Sequence, residues 1–251
     1  MKKLFLATTA FVVLTAASAG AADMTARPAY AAPPPAPVYT WSGMYFGANV
    51  GYSWGQSKTD GTPPGVAVTT NETQNIDGVI GGGQTGYNYQ FGSWVWGFES
   101  DLQASGQKGG STIPVFLGTT VTTDHKLEWF GTSRSRLGFL ATPNLLLYGT
   151  GGVAYGQIKD TYTVTAFGFP AAAAVATVKD VRAGWTLGGG IEGAFGGGWS
   201  AKVEYLYIDL GKLEQTVALP LAGIPAATFN TRLTDNIVRV GLNYKWGGYG
   251  Y

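Results

Sequence analysis

The chain has no cysteine and one histidine among 251 residues. Without thiols it can hold neither a disulfide framework nor a thiolate metal site. Charge is also scarce. Asp, Glu, Lys and Arg make up 12% of the residues, against about 25% in an ordinary soluble domain. The net charge of +1 gives no electrostatic reason to expect nucleic acid or an acidic partner. Past the N-terminal region no apolar run approaches the roughly 20 residues a membrane helix needs. The abundant residues are glycine, at 39, and the aromatics, at 14%.

The N-terminus reads as an export signal. Lys2 and Lys3 precede the apolar run Leu4 to Leu14, and small residues follow with cleavage-like triplets at Ala17-Ser18-Ala19 and Gly20-Ala21-Ala22. A positive start, a short apolar centre and a small-residue exit define a secretory signal peptide, here 1–22. The stretch 23–40, with "RPAYAAPPPAPVYT", is proline-rich and expected to stay extended as a periplasmic tail. Residues 41–251 are long enough for one large β domain.

Glycine first suggests a nucleotide site. Gly81, Gly83 and Gly86 make G-x-G-x-x-G, and Gly188, Gly190 and Gly193 repeat it. That motif binds phosphate only where it opens a helix. Here it runs into Tyr87, Asn88, Tyr89, Gln90 and Phe91, an alternation that suits a strand. Strand-like runs lie at 43–55, 76–91, 93–106, 126–140, 144–157, 180–195, 199–210 and 235–246. Short joins fall at Gly92, at Ala141 to Asn144 and at Gly196 to Gly198, while longer ones cover 56–75, 107–125, 158–179 and 211–234. Eight strands with alternating short and long joins predict an all-β, up-and-down transmembrane barrel with short periplasmic turns and long extracellular loops. An even strand number puts both ends of the exported chain on the periplasmic side of the outer membrane.

A soluble barrel or sandwich would alternate too, with its apolar face inward. Low charge and aromatic strand ends favour the membrane. Phe91 and Trp94 flank the first turn, Phe139 precedes the second, Phe195 and Trp199 flank the third, and Trp41 and Trp246 bound the domain. This set is expected to form an interfacial aromatic girdle. Gly78, Gly82, Gly86, Gly184, Gly188 and Gly190 phase inward, as a narrow lumen requires, while Gly81 and Gly83 phase outward. Charged residues phase inward as well: Glu99, Asp101, Glu128, Glu192 and Glu204 against Arg134, Arg136, Lys202, Arg239 and Lys245. Counting from the turns puts Glu192 opposite Lys202, Glu99 and Asp101 level with Arg134 and Arg136, and Glu204 near Arg239. Such pairs are expected to bridge strands and to keep the lumen closed or poorly conducting.

The segments "GYNYQFGSWVWGFESDLQ", "WFGTSRSRLGFL", "LLLYGTGGVAYG" and "VRVGLNYKW" together resemble the porin-like outer-membrane β-barrel proteins typical of alphaproteobacteria. The resemblance covers Trp41 to Trp246. It implies a setting of outer-membrane lipid and lipopolysaccharide, and insertion by the barrel assembly machinery. That machinery reads a terminal aromatic, here Trp246 or Tyr251. Three functional classes stay open. The first is an envelope barrel with narrow passive permeation. The second is a surface barrel binding a host factor, phage or haem through its loops. The third is a lipid-modifying enzyme, for which His125 beside Asp124 is the one imidazole and no serine partner is evident. We expect no catalytic residues, no metal and no cofactor.

Overall fold

The computed structural model describes residues 39–62, 70–114, 120–165, 174–219 and 224–246. The segment 1–22 read as a signal peptide and most of the proline-rich stretch 23–40 lie outside the described residues. The described chain is antiparallel strand almost throughout: β1 (Gly43–Thr62), β2 (Thr70–Phe91), β3 (Trp94–Ser105), β4 (Lys108–Pro114), β5 (Thr120–Thr142), β6 (Leu145–Thr165), β7 (Ala174–Gly196), β8 (Trp199–Leu219) and β9 (Ile224–Lys245). Because β1 pairs with β2 on one side and with β9 on the other, the sheet closes on itself and leaves no free edge.

Nine segments make eight staves. Ile80 pairs with Ser105 and Asp77 with Lys108, so β3 and β4 keep one register across the interruption at Gly106 and Gln107. Both also pair with β5, which runs past the break. Three tight turns lie at one end of the ring, where Phe91 pairs with Trp94, Thr142 with Leu145 and Gly196 with Trp199. The last is built from Gly197 and Gly198, both at positive φ (63° and 81°), the geometry that matches the twist of flanking strands.

The wall is inside out. Trp96, Phe98, Leu102, Leu187, Ile191, Val203, Val240 and Leu242 are each about half exposed on the exterior, while Glu99, Arg134, Lys202 and Glu204 are buried at 2% or less. A water-soluble barrel would reverse this. In β7 the apolar exterior runs from Val181 through Trp185, Leu187 and Ile191 to Phe195, enough to span the roughly 9–11 residues a tilted strand uses to cross hydrocarbon.

The segments read from sequence as long loops are largely strand. β1 continues to Thr62, β6 to Thr165 and β8 to Leu219, while β4 and the start of β5 occupy much of 107–125. These extensions rise past the apolar band. Water lies outside them, so apolar alternation disappears while Thr-rich sequence keeps its strand preference.

Inward glycines are fixed by close approach. A Cβ on Gly190 would meet the Val203 carbonyl at 2.6 Å and the Tyr148 hydroxyl at 2.7 Å, whereas one on Gly81 would find its nearest neighbour at 3.6 Å. Gly190→Val should therefore lower the unfolding free energy by about 1–3 kcal/mol. Gly81→Ala should change it by less than about 0.5 kcal/mol. Denaturant unfolding in lipid vesicles reads both, and equal effects would overturn the assignment of faces.

Candidate functional site

The lumen is filled in layers. At the end with the tight turns, Trp41, Val95, Leu146 and Tyr148 form an apolar base, with Tyr39, Leu140 and Ala194 packed against it. Above it lies an ionic layer of four carboxylates and four cations: Glu99, Asp101, Glu192 and Glu204 with Arg134, Arg136, Lys202 and Arg239. A second apolar layer follows, in which Ile76 and Ile80 of β2 meet Phe130, Leu206 and Ile237 from β5, β8 and β9.

Register and side-chain reach build the ionic layer. Glu99 lies opposite Arg134, and Glu204 opposite Arg239. Arg134 Nη2 sits 2.6 Å from Glu99 and 2.9 Å from Asp101, and its Nη1 is 3.1 Å from Glu204. Arg239 reaches Glu204 at 2.5 Å and Asp101 at 3.0 Å. Lys202 Nζ donates to both Glu99 oxygens at 2.7 Å. Arg136 Nη2 meets Glu192 at 2.6 Å, and its guanidinium lies 4.0 Å from the Tyr148 ring centroid. Tyr45 donates to Glu99, Tyr148 to Glu204, Thr132 to Asp101, and Ser200 and Asn243 to Glu192. Every ion of the layer except Lys202 has more than one partner to offset its desolvation, and Lys202 has both oxygens of Glu99. None of the five neutral donors, Tyr45, Tyr148, Thr132, Ser200 and Asn243, was among the site residues expected from sequence. Phasing of β1 and β6 against the charged face would have found the two tyrosines.

Three expected site residues lie elsewhere. Glu128 is outside the lumen. A register shift between Leu127 and Trp129 makes it the extra residue of a bulge, which reverses inside and outside along β5; it pairs instead with Lys179 at 3.2 Å. Lys245 is buried but lies at the base, where its ammonium bonds the Thr40 carbonyl and sits 4.5 Å from the Tyr39 ring. Trp41 is not in the girdle. It is 2% exposed, its backbone N–H donating to Gln90 and its indole to the Pro143 carbonyl at 3.1 Å. It precedes β1, so no pleat directs it outward, and both its polar groups find partners inside.

The pairing expected between Glu192 and Lys202 also changes. They are opposite in register, but Lys202 reaches across the lumen to Glu99 while Glu192 takes Arg136. His125, read as a loop residue, belongs to β5 and points inward, its Nδ1 2.7 Å from Asp160. Phe91, Trp94, Phe139, Phe195, Trp199 and Trp246 all stand on the exterior near the tight turns. Trp94 and Phe139 touch edge to face at 5.5 Å. The alternative terminal aromatic, Tyr251, lies outside the described residues.

The comparisons with known proteins agree with this architecture. A family described as outer membrane protein beta-barrel domain matches residues 9–246. The chain is 36% identical over 252 residues to the 31 kDa outer-membrane immunogenic protein of Brucella melitensis biotype 1, covering 98% of this chain and 100% of that one. It is 27% identical over 216 residues to the 22 kDa outer membrane protein of Rhizobium leguminosarum bv. viciae, covering 85% of this chain and 82% of its relative. The outer membrane protein OprG from Pseudomonas aeruginosa shares the fold, with a TM-score of 0.54 at 15% identity over 82% of this chain and 97% of that one. A closed ring with an apolar exterior suits the membrane its relatives are named for, and the chain belongs to the outer membrane protein beta-barrel domain family.

Proposed function

We propose that this protein is a closed, non-enzymatic envelope barrel whose lumen is cross-braced rather than open, with at most a narrow path for water or small ions. The ionic layer carries this reading. Arg134 and Arg239 each bond carboxylates from more than one other stave, and Lys202 spans from β8 to β3. Ions held this way brace the wall and occupy the space a solute would need. Beyond the ions, the buried Ile76, Phe130, Leu206 and Ile237 and the hydrogen-bonded group Ser53, Gln107 and Asp235 fill the lumen further, and Trp41 and Tyr148 fill it at the base. The His125 ring hydrogen-bonds Asp160, and although Ser57 lines the same small cavity, among the described residues no hydrogen bond links its hydroxyl to the imidazole as an activated nucleophile requires. In this reading the girdle aromatics anchor the barrel in lipid, and the assembly machinery reads Trp246 or Tyr251 during insertion.

The refolded full-length protein should give no resolved conductance steps in planar bilayers. Proteoliposomes containing it should swell in small sugars no faster than empty liposomes. Swelling at the rate of an open porin would overturn the proposal.

A further inference from the structure

Four lysines stand side by side on the outer wall. In the pairing register Lys108 faces Lys126, Lys126 faces Lys159 and Lys159 faces Lys179, across β4, β5, β6 and β7. The chain neighbours Gln107, His125, Leu127, Ile158 and Asp160 are buried in the lumen, so Lys108, Lys126 and Lys159 project outward, and the Lys179 side chain is half exposed. Like charges directly opposite on adjacent strands are destabilising, and a run of four serves no purpose in folding. Lys179 pairs with Glu128 at 3.2 Å. Among the described residues no carboxylate lies within ion-pair distance of Lys108, Lys126 or Lys159. The other acids on this wall are Asp77, which accepts from the Tyr52 hydroxyl, and Asp124. The row therefore keeps an excess of positive charge.

A recess of about 400 Å³ adjoins the row, lined by Lys108, Lys126, Lys159, Gly110, Asp124 and Thr161. It is open because Gly110, opposite Asp124, puts no side chain into it. On the membrane side of the row stand Trp129 and Tyr155, 6.3 Å apart and edge to face, with the Trp129 indole donating to Gln157 at 2.7 Å. Amphipathic rings of this kind settle at the level of lipid headgroups. The row lies on the half of the wall away from the tight turns, facing the outer leaflet.

We propose that this row and recess bind the phosphorylated sugar head of lipopolysaccharide. The phosphates would neutralise the lysine repulsion, while Thr161 and Asp124 offer hydrogen bonds to sugar hydroxyls. The site lies outside the lumen, so it stands or falls separately from the closed-barrel reading.

The test compares the wild-type chain with Lys126→Ala/Lys159→Ala, both checked as folded by their heat-shifted gel bands. The probes are bisphosphorylated lipid A, its dephosphorylated counterpart and inorganic phosphate, each added to the protein in neutral detergent micelles. Two lysines near an anionic headgroup predict about 30-fold weaker binding of bisphosphorylated lipid A by the variant. Dephosphorylated lipid should bind both proteins equally weakly, and millimolar inorganic phosphate should not compete. Without lipid the variant should melt at a higher temperature than wild type, because the like-charge row has been relieved. With bisphosphorylated lipid the order should reverse. Equal affinities for the two proteins would overturn the proposal. So would full competition by inorganic phosphate, which would mark a site for small anions.

Discussion

Replacing Glu99 with alanine should lower the unfolding free energy of the barrel by about 3–5 kcal/mol, the range for removing one partner of a buried ion pair. The loss should fall mainly on Lys202. Arg134 and Arg239 each keep Asp101 and Glu204 when Glu99 is gone. Lys202 has Glu99 as its one carboxylate within ion-pair distance and would be left as an uncompensated ammonium in the lumen. Adding Lys202→Ala should therefore recover part of the stability, with a coupling of about 0.5–3 kcal/mol between the two positions. Glu192→Ala should cost less, because Arg136 keeps the Tyr45 hydroxyl at 3.0 Å and the Tyr148 ring. Denaturant unfolding in lipid vesicles, followed by tryptophan fluorescence, measures all of these. A larger coupling for Glu192 with Lys202 than for Glu99 with Lys202 would show that the cross-lumen contact is not the one that matters.

That comparison marks what sequence could and could not reveal. A period of two assigns faces, and counting from tight turns assigns levels, so Glu192 opposite Lys202 and Glu204 opposite Arg239 were readable. Register says which residues are level on adjacent staves. It does not say which side chains reach across a narrow lumen, and a lysine long enough to span β8 to β3 chose Glu99. Phase counting also fails beyond a bulge. The inserted residue at Glu128 left Arg134 and Arg136 inward but put Glu128 itself outside, and no turn residue announced it. Trp41 failed for another reason. Outside a strand there is no pleat to fix direction, and burial followed from its contacts with Gln90 and Pro143. Inward apolar residues such as Phe130 and Leu206 were likewise hidden, because the charged residues beside them made that face look wholly polar.

Clearing any one layer should leave the lumen closed. The layers lie in series, and a path obstructed at three levels conducts only when all three are cleared. Trp41→Ala removes the largest side chain of the base. Phe130→Ala opens the upper apolar layer, at a cost of about 3–5 kcal/mol. Glu99→Ser with Lys202→Ser shortens a matched pair in the middle and leaves neither charge stranded, which is milder than breaking the pair. Each of these three changes alone should give planar-bilayer traces like those of the wild type. Combined in one chain that still shows a heat-shifted band, they should produce discrete conductance steps. The closing Ser–Ser pair would also give water two hydroxyls where the ions stood. If Phe130→Ala alone conducts, the apolar layer is the sole barrier and the ions only brace the wall. If the combined variant folds but stays silent, the lumen is shut somewhere other than at these three levels, and the layered account is wrong.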